Sequence, residues 1–413
     1  MSNTPLKGAC VIGQSGGPSS VINCSAYGVI KTALESEYIT TVYGMYHGIK
    51  GILNDELMIM DEEDPKELER LLYTPSSALG SCRYKIADPD EDDTDYKRIL
   101  EIFKKYNIRY FFYNGGNDSM DTCAKVSRYM SKAGYECRVM GVPKTIDNDL
   151  FGTDHCPGFS SAAKYIATSI MEVYLDSHVY DTGMITIIEC MGRHAGWLTG
   201  AAALASAKGM GPDLVYLPEV DFDMDKFIAD VTRIYDENKN CIVAVSEGIH
   251  YADGSFVSEA KTAATDGFGH AQLGGLAAML ANVVKQHTSA KVRGIELSLL
   301  QRCAAHIASG NDIQESFMSG KVAVESALAG ITGKMVGFEC DRSNGYVCNA
   351  KLFDLDSVAN YEKKVPVEWI NAEGNGVTQD FIDYCLPLIQ GETGMVKEDG
   401  LPRFCRLKRV FAK

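Results

Sequence analysis

"YNGGNDSMDT", residues 113–122, decides how this chain is read. It closes a mostly apolar run that begins at Ile108, "IRYFFYN", and breaks at once into a pair of glycines, an amide, a carboxylate and a hydroxyl before a helical pattern sets in. A strand that gives way to glycines ahead of a helix suits a phosphate, because backbone N–H groups and the helix dipole converge on the turn. Asp118 is the anomaly, an acid where an anion would lie.

The same strand, turn and helix order recurs outward from this point. "KGACVIG" predicts a first strand and "SGGPSSVIN" the turn into a helix, with Pro18 at the helix start and Ser15 to Ser20 as capping groups. After the acidic loop "DPDEDDTD", Thr94 is the expected cap of the helix "DYKRILEIFKKYN". "ECRVMGV", "GMITIIEC", "CIVAVSEG" and "KVRGIELS" are further strands, separated by helical stretches such as "SAAKYIATSIMEVYL". Alternation of this kind makes an α/β fold, with parallel sheets covered on both faces and ligands beyond the C-terminal strand ends. "SGG", "GGNDS", "PKTIDND", "MGR", "SEG" and "LLQR" all fall at such ends. After about Val336 the alternation fades, and the basic end "PRFCRLKRVFAK" reads as part of an extension packed on the main body.

Composition narrows the function. The chain has 413 residues and a formal net charge of −15, which disfavours nucleic acid and membrane surfaces as partners. No signal peptide or apolar span is evident, and the 13 cysteines are scattered without a C-x-x-C pair, as in a reducing cytoplasm. An anionic substrate then needs basic residues gathered locally. "PKTIDND" places Asp147 and Asp149 two apart beside Thr145, a spacing that lets two carboxylates face one side of an extended turn. The same residues also make an ordinary Asx-rich turn, and Arg193, Arg293 and Arg302 read equally well as phosphate ligands or solvated charges.

In this order the motifs "SGGPSSVIN", "LGSCRYK", "GGNDS", "PKTIDND", "TDHCPGFSSAA", "MGRHAGW", "SEG" and "LLQR" resemble the phosphofructokinase family, most closely its pyrophosphate-dependent members, from about Gly8 to Gly330. The resemblance implies two Rossmann-like parallel-sheet domains with a C-terminal extension: residues 1–158 with about 302–335 for the phosphoryl donor, 159–301 for fructose 6-phosphate, and 336–413 as the extension. It implies Mg²⁺-dependent phosphoryl transfer to the sugar's 1-hydroxyl in glycolysis, in a cytoplasmic homo-oligomer, dimer or tetramer. Gly16, Arg83, Lys85, Gly116 and Ser119 belong to the donor site. Asp147 is the proton acceptor, with Asp118 and Lys144 beside it. Thr145, Asp149, Met191, Gly192, Arg193 and Glu247 face the sugar, and Arg293 and Arg302 its 6-phosphate.

Asp118 and Lys144 stand where ATP-using relatives resemble each other in carrying glycine. A carboxylate there fills the place of a nucleotide's α-phosphate and repels it, by about 4 kcal/mol at 4 Å and an effective dielectric near 20. A diphosphate ends short of that point. Departures from the family pattern are Asn117 in place of a metal-binding aspartate, Met184 in place of an arginine offered to a neighbouring subunit's phosphate, and Leu299 in place of a phosphate donor. The rival readings are an ATP-dependent phosphofructokinase, a non-catalytic regulatory homologue, and a kinase acting on NAD or a lipid.

Overall fold

The computed structural model describes residues 4–258, 275–359 and 361–413. β1 (Gly8–Gln14), β2 (Ile39–Met45), β3 (Leu57–Ile59), β4 (Ile108–Gly115) and β5 (Arg138–Pro143) belong to one seven-stranded sheet. β1 and β5 are buried along their whole length and β4 nearly so, which is why they read as unbroken apolar runs. β6 (Met184–Cys190), β7 (Leu214–Tyr216), β8 (Asn240–Ser246) and β9 (Val292–Glu296) form a second, fully parallel sheet in the order β7-β8-β6-β9. The helix Phe159–Ser177 leads from the first sheet to the second, and the helix Gly310–Leu328 leads back.

The first sheet runs β11-β10-β5-β4-β1-β2-β3, where β10 is Lys334–Asp341 and β11 is Val347–Asp354. β1 therefore has β2 on one side and β4 on the other, both parallel to it. That is a topological switch point, where the loops beyond neighbouring strands diverge to opposite faces and leave a crevice. The register pairs Gly13 with Tyr113 and Gln14 with Asn114, so the turns "SGG" and "GGN" emerge side by side.

Some local expectations need correction. The first helix begins at Ile22, not at Pro18, and neither Pro18 nor any of Ser15 to Ser20 makes a side-chain cap to it. Its start is fastened instead by amides at the strand ends: Asn114 Nδ2 donates to the Ile22 carbonyl (3.0 Å) and Gln14 Nε2 to Asn23 Oδ1 (2.8 Å). The glycines and proline are thereby left to the crevice. Thr94 is the first residue of its helix rather than the cap, and its N–H is held by Asp92 Oδ1 (3.0 Å).

The stretch after Val336 has more structure than its fading alternation indicates. β10 lies parallel to β5 and forms an antiparallel hairpin with β11, extending the first sheet. At the opposite edge the basic tail covers β3: the Ile59 N–H donates to Val410 (2.8 Å) and the Ala412 N–H to Leu57 (2.8 Å). Glu63 and Glu67 receive the backbone N–H groups of Arg406, Lys408 and Arg409, and Arg403 pairs with Glu67 (2.6 Å). An edge strand covered in this way offers no free ladder to another chain.

Candidate active site

At the switch point of the first sheet lies a cavity of about 530 Å³. Gly16 lines it with φ near +75°, and a Cβ there would come within 3.4 Å of Lys144 Nζ. A Cβ on Gly17 would lie 3.1 Å from Arg302 Nη1 and 4.0 Å from Arg83 Nη2, so both guanidinium groups stand against the turn. On the β4 side, Gly116 precedes the helix Asn117–Lys132, whose N-terminus has no side-chain cap. Its first N–H groups and its dipole favour an anion there.

β5 ends at Pro143, and the Lys144 N–H is held by the Gly115 carbonyl (3.0 Å), which ties the two strand ends together. Lys144 is buried and donates from Nζ to the Gly17 carbonyl (2.6 Å). Burial lowers its pKa to about 8, reinforced by Arg302 and Arg83 and opposed by Asp147 and Asp149. Asn148 then adopts φ near +56°, fixed by side-chain bonds to the Tyr384 hydroxyl (2.9 Å) and the Cys156 N–H (2.9 Å). With that residue turned away, Asp147 and Asp149 both line the cavity. The Asp147 N–H donates to Thr145 Oγ1 (3.1 Å). Burial, with Asp149 and Glu247 nearby, pushes the Asp147 carboxyl up to about 7. Asp149 is raised as well, by burial first and by the charge of Glu362, against the hydrogen bond from Thr145.

Asn117 Nδ2 donates to Asp149 Oδ2 (3.2 Å), while its own Oδ1 is buried with no partner. Among the described residues the clusters of three His, Cys or carboxylate ligand atoms lie elsewhere, around His155. That histidine already bridges Asp154 (3.0 Å) and Glu315 (2.8 Å).

On the side of the second sheet, the turn after β6 carries Met191, Gly192 and Arg193. The Met191 N–H donates to Gln301 Oε1 (3.2 Å) and the Gly192 N–H to Glu247 Oε1 (3.3 Å). Gly192 has φ near +128°, and a Cβ would sit 2.6 Å from the Ala195 carbonyl oxygen, so the turn needs glycine. Burial raises the Glu247 carboxyl.

Thus Gly16, Arg83, Gly116, Asn117, Asp118, Ser119, Lys144, Thr145, Asp147, Asp149, Met191 and Arg302 line one cavity. Lys85 reaches it through a 4.0 Å ion pair with Asp118 at the exposed rim. Gly192, Arg193 and Glu247 adjoin it through the β6 turn rather than lining it. Arg293 is exposed on β9 and lines no part of it. Met184 is buried in β6 and Leu299 is exposed. Gly17, Pro18 and Ile146 line the cavity beside expected neighbours, whereas Glu362, absent from every motif, comes from the C-terminal extension. Among the described residues no helix is long and apolar enough to cross a membrane.

The Phosphofructokinase family profile matches residues 9–326. A protein of Halomonas elongata named pyrophosphate–fructose 6-phosphate 1-phosphotransferase is 42% identical over 400 residues, covering 96% of this chain and 95% of that protein. One of the same name from Methylococcus capsulatus is 43% identical over 401 residues, with the same shares covered. The crystal structure of a pyrophosphate-dependent phosphofructokinase from Marinobacter aquaeolei superposes with a TM-score of 0.88 at 40% identity, covering 98% of this chain and 97% of that one. With a profile match over most of its length, relatives above 40% identical along nearly the whole chain and two sheets whose central strands run parallel, this chain belongs to the phosphofructokinase family.

Proposed function

We propose that this chain transfers a phosphoryl group from pyrophosphate to the 1-hydroxyl of D-fructose 6-phosphate, reversibly, giving fructose 1,6-bisphosphate and phosphate. The observation that carries the choice of donor is Lys144: a buried ammonium placed on the Gly16–Gly17 turn, with Asp118 and Lys85 paired across the rim. A diphosphate needs no exit past that pair, and a nucleotide does. Because Lys85 offsets part of Asp118's charge, volume counts for more against ATP than bare repulsion does.

In this reading Gly16, the N-terminus of the helix Asn117–Lys132, Arg83 and Lys144 hold the donor, and little covalent chemistry is asked of the protein. Asp147 takes the proton of the sugar's 1-hydroxyl, and its elevated pKa suits a base working near neutrality. Thr145 orients Asp147, and Met191, Gly192, Arg193 and Glu247 receive the sugar. Arg302 lies between the two halves, with Arg293 assigned to the 6-phosphate by motif alone.

A divalent cation, Mg²⁺ in this reading, fits the corner of Asn117 and Asp149. A buried amide oxygen without a partner is an acceptor waiting for a cation, and oxygen ligands suit Mg²⁺. Bound there, the ion would neutralise charge on the donor oxygens.

Residues 1–158 with about 302–335 are proposed as the donor domain, 159–301 as the sugar domain and 336–413 as the extension, of which β10 and β11 complete the donor sheet. We also assign the chain to the cytoplasm, consistent with its free cysteines, and to a homo-oligomer, which light scattering would test. The activity test is a set of initial rates with purified protein, fructose 6-phosphate and Mg²⁺, with pyrophosphate or ATP as donor. Turnover with pyrophosphate and little with ATP is expected. Equal efficiency with ATP overturns the donor assignment.

A further inference from the structure

We infer that Glu362 supplies the metal corner with the anionic charge that Asn117 lacks; this rests on the phosphotransferase reading above. Glu362 lies beyond the residues that match the family profile, yet it lines the same cavity as Asn117, Asp147 and Asp149. It is fixed there by backbone pairing. Leu150 and Glu362 form an antiparallel bridge, and the Lys363 N–H donates to the Asp149 carbonyl (2.8 Å). Successive side chains of an extended segment point to opposite sides. Lys363 accordingly reaches away, to the carbonyls of Asp154 (2.6 Å) and Thr153 (3.2 Å), and leaves Glu362 to the cavity.

The backbone pairing sets Glu362 next to the segment that carries Asp149, and the Asp149 carboxylate accepts from the Asn117 amide (3.2 Å). Glu362 is exposed, yet it lies on a cavity that must receive an anion and that Asp147 and Asp149 also line. Repulsion among Asp149, Glu362 and a diphosphate is relieved if a divalent cation lies among them. Hard cations prefer charged carboxylate oxygens, and a neutral amide alone is a poorer ligand. The orphaned Asn117 Oδ1 and the Glu362 carboxylate thus complement each other: one gives an acceptor atom, the other the charge. The cation corner is built from both the shared domain and the C-terminal extension.

The test is Mn²⁺ binding to the intact protein, followed by electron paramagnetic resonance, with the metal alone and with imidodiphosphate present. Glu362→Gln should weaken Mn²⁺ binding about tenfold, the lower end of what is seen when partners of a metal site are removed, with thermal unfolding unchanged. Asn117→Asp should tighten binding by a similar factor, and Asn117→Asp combined with Glu362→Gln should return close to the parent. The rescue separates charge supply from a structural role, since moving the carboxylate to position 117 repairs no backbone pairing. Unchanged Mn²⁺ affinity in Glu362→Gln overturns the inference. So does a double variant that binds as weakly as Glu362→Gln, or an Asn117→Asp variant that gains nothing. If the Mn²⁺ pattern holds while the parent shows no pyrophosphate-dependent turnover, the proposed reaction fails and the cation corner stands.

Discussion

The crevices of the two sheets are built differently. At the first, three of the polar side chains are held by neighbours: Lys144 by the Gly17 carbonyl, Asn117 Nδ2 by Asp149, Asp118 by Lys85. At the second, the β6 turn is fixed through Gln301 and Glu247, but Arg293 stands exposed on β9. Arg302, the other arginine assigned to the sugar phosphate, lies against the donor turn beside Arg83, and burial together with Arg83 lowers its pKa. The donor half is a preorganised electrostatic site within one chain, whereas the acceptor half leaves a cation in solvent. Preorganisation of this kind lowers the cost of binding a small, highly charged donor.

The largest effect is expected where the halves meet. Asp147→Ala should lower kcat by roughly a hundred- to ten-thousand-fold, the usual contribution of a positioned base, with little change in the sugar's KM. Steady-state kinetics on the folded variant checks this. Near-normal kcat, or a defect confined to KM, would remove Asp147 from proton transfer.

The next comparison is between the two arginines. Loss of a charge-assisted contact of about 1.5–3 kcal/mol corresponds to roughly ten- to a hundredfold in kcat/KM. Arg302→Ala should show that loss for both donor and sugar, since it stands against Gly17 and lines the same cavity as Met191. Arg293→Ala should affect the sugar alone and by less. Equal losses from both variants, restricted to the sugar's KM, would place Arg302 wholly in the acceptor half.

A pH profile separates the halves again. Asp147 must be ionised to accept a proton, so kcat/KM should rise as pH increases through about 7, where its carboxyl titrates. Lys144 must be charged to hold the donor, so kcat/KM should fall as pH increases through about 8. The result is a narrow bell, each limb changing about tenfold per pH unit well away from its pKa. Lys144→Arg should abolish the alkaline limb while keeping the acid one, because a guanidinium stays charged there. A profile flat between pH 6 and 9 would contradict both assignments.

How much of this was legible in the sequence follows from range along the chain. β1, β4 and β5 are buried parallel strands and announce themselves as unbroken apolar runs. Because such strands deliver ligands at their ends, the glycine turns and "PKTIDND" could be placed on one crevice before the structure was known. The start of the first helix was not legible, since it depends on Asn114 and Gln14 from strand ends rather than on a local cap. Glu362 and Lys363 were invisible for a similar reason: their partners lie some 210 residues earlier, and "EKKVP" carries no turn or helix signal of its own. Arg293 shows the converse, a residue that the family resemblance assigned to the 6-phosphate and whose side chain is exposed.

The smallest effect is expected at Asp118. Asp118→Gly should open the rim and give a gain in ATP-dependent kcat/KM of about tenfold, well short of the pyrophosphate rate. The structure explains why the gain should be modest. Asp118 is already paired with Lys85, so removing it frees a cation that can meet the nucleotide's α-phosphate, and part of the repulsion was offset beforehand. Lys144 still occupies the turn, a few ångströms from where a Cβ of Gly16 would lie. Adding Lys144→Gly should raise ATP use beyond either single change and lower pyrophosphate use sharply, since it removes the buried cation from the donor's side. Lys85→Ala is the control that separates charge from volume. If Asp118 excludes ATP by bare repulsion, unmasking it should depress residual ATP turnover further; if by volume, Lys85→Ala should leave the ratio of donors unchanged. A complete cycle in which no variant gains ATP turnover, while all fold and bind fructose 6-phosphate, would show that the rim pair is not what decides between the donors.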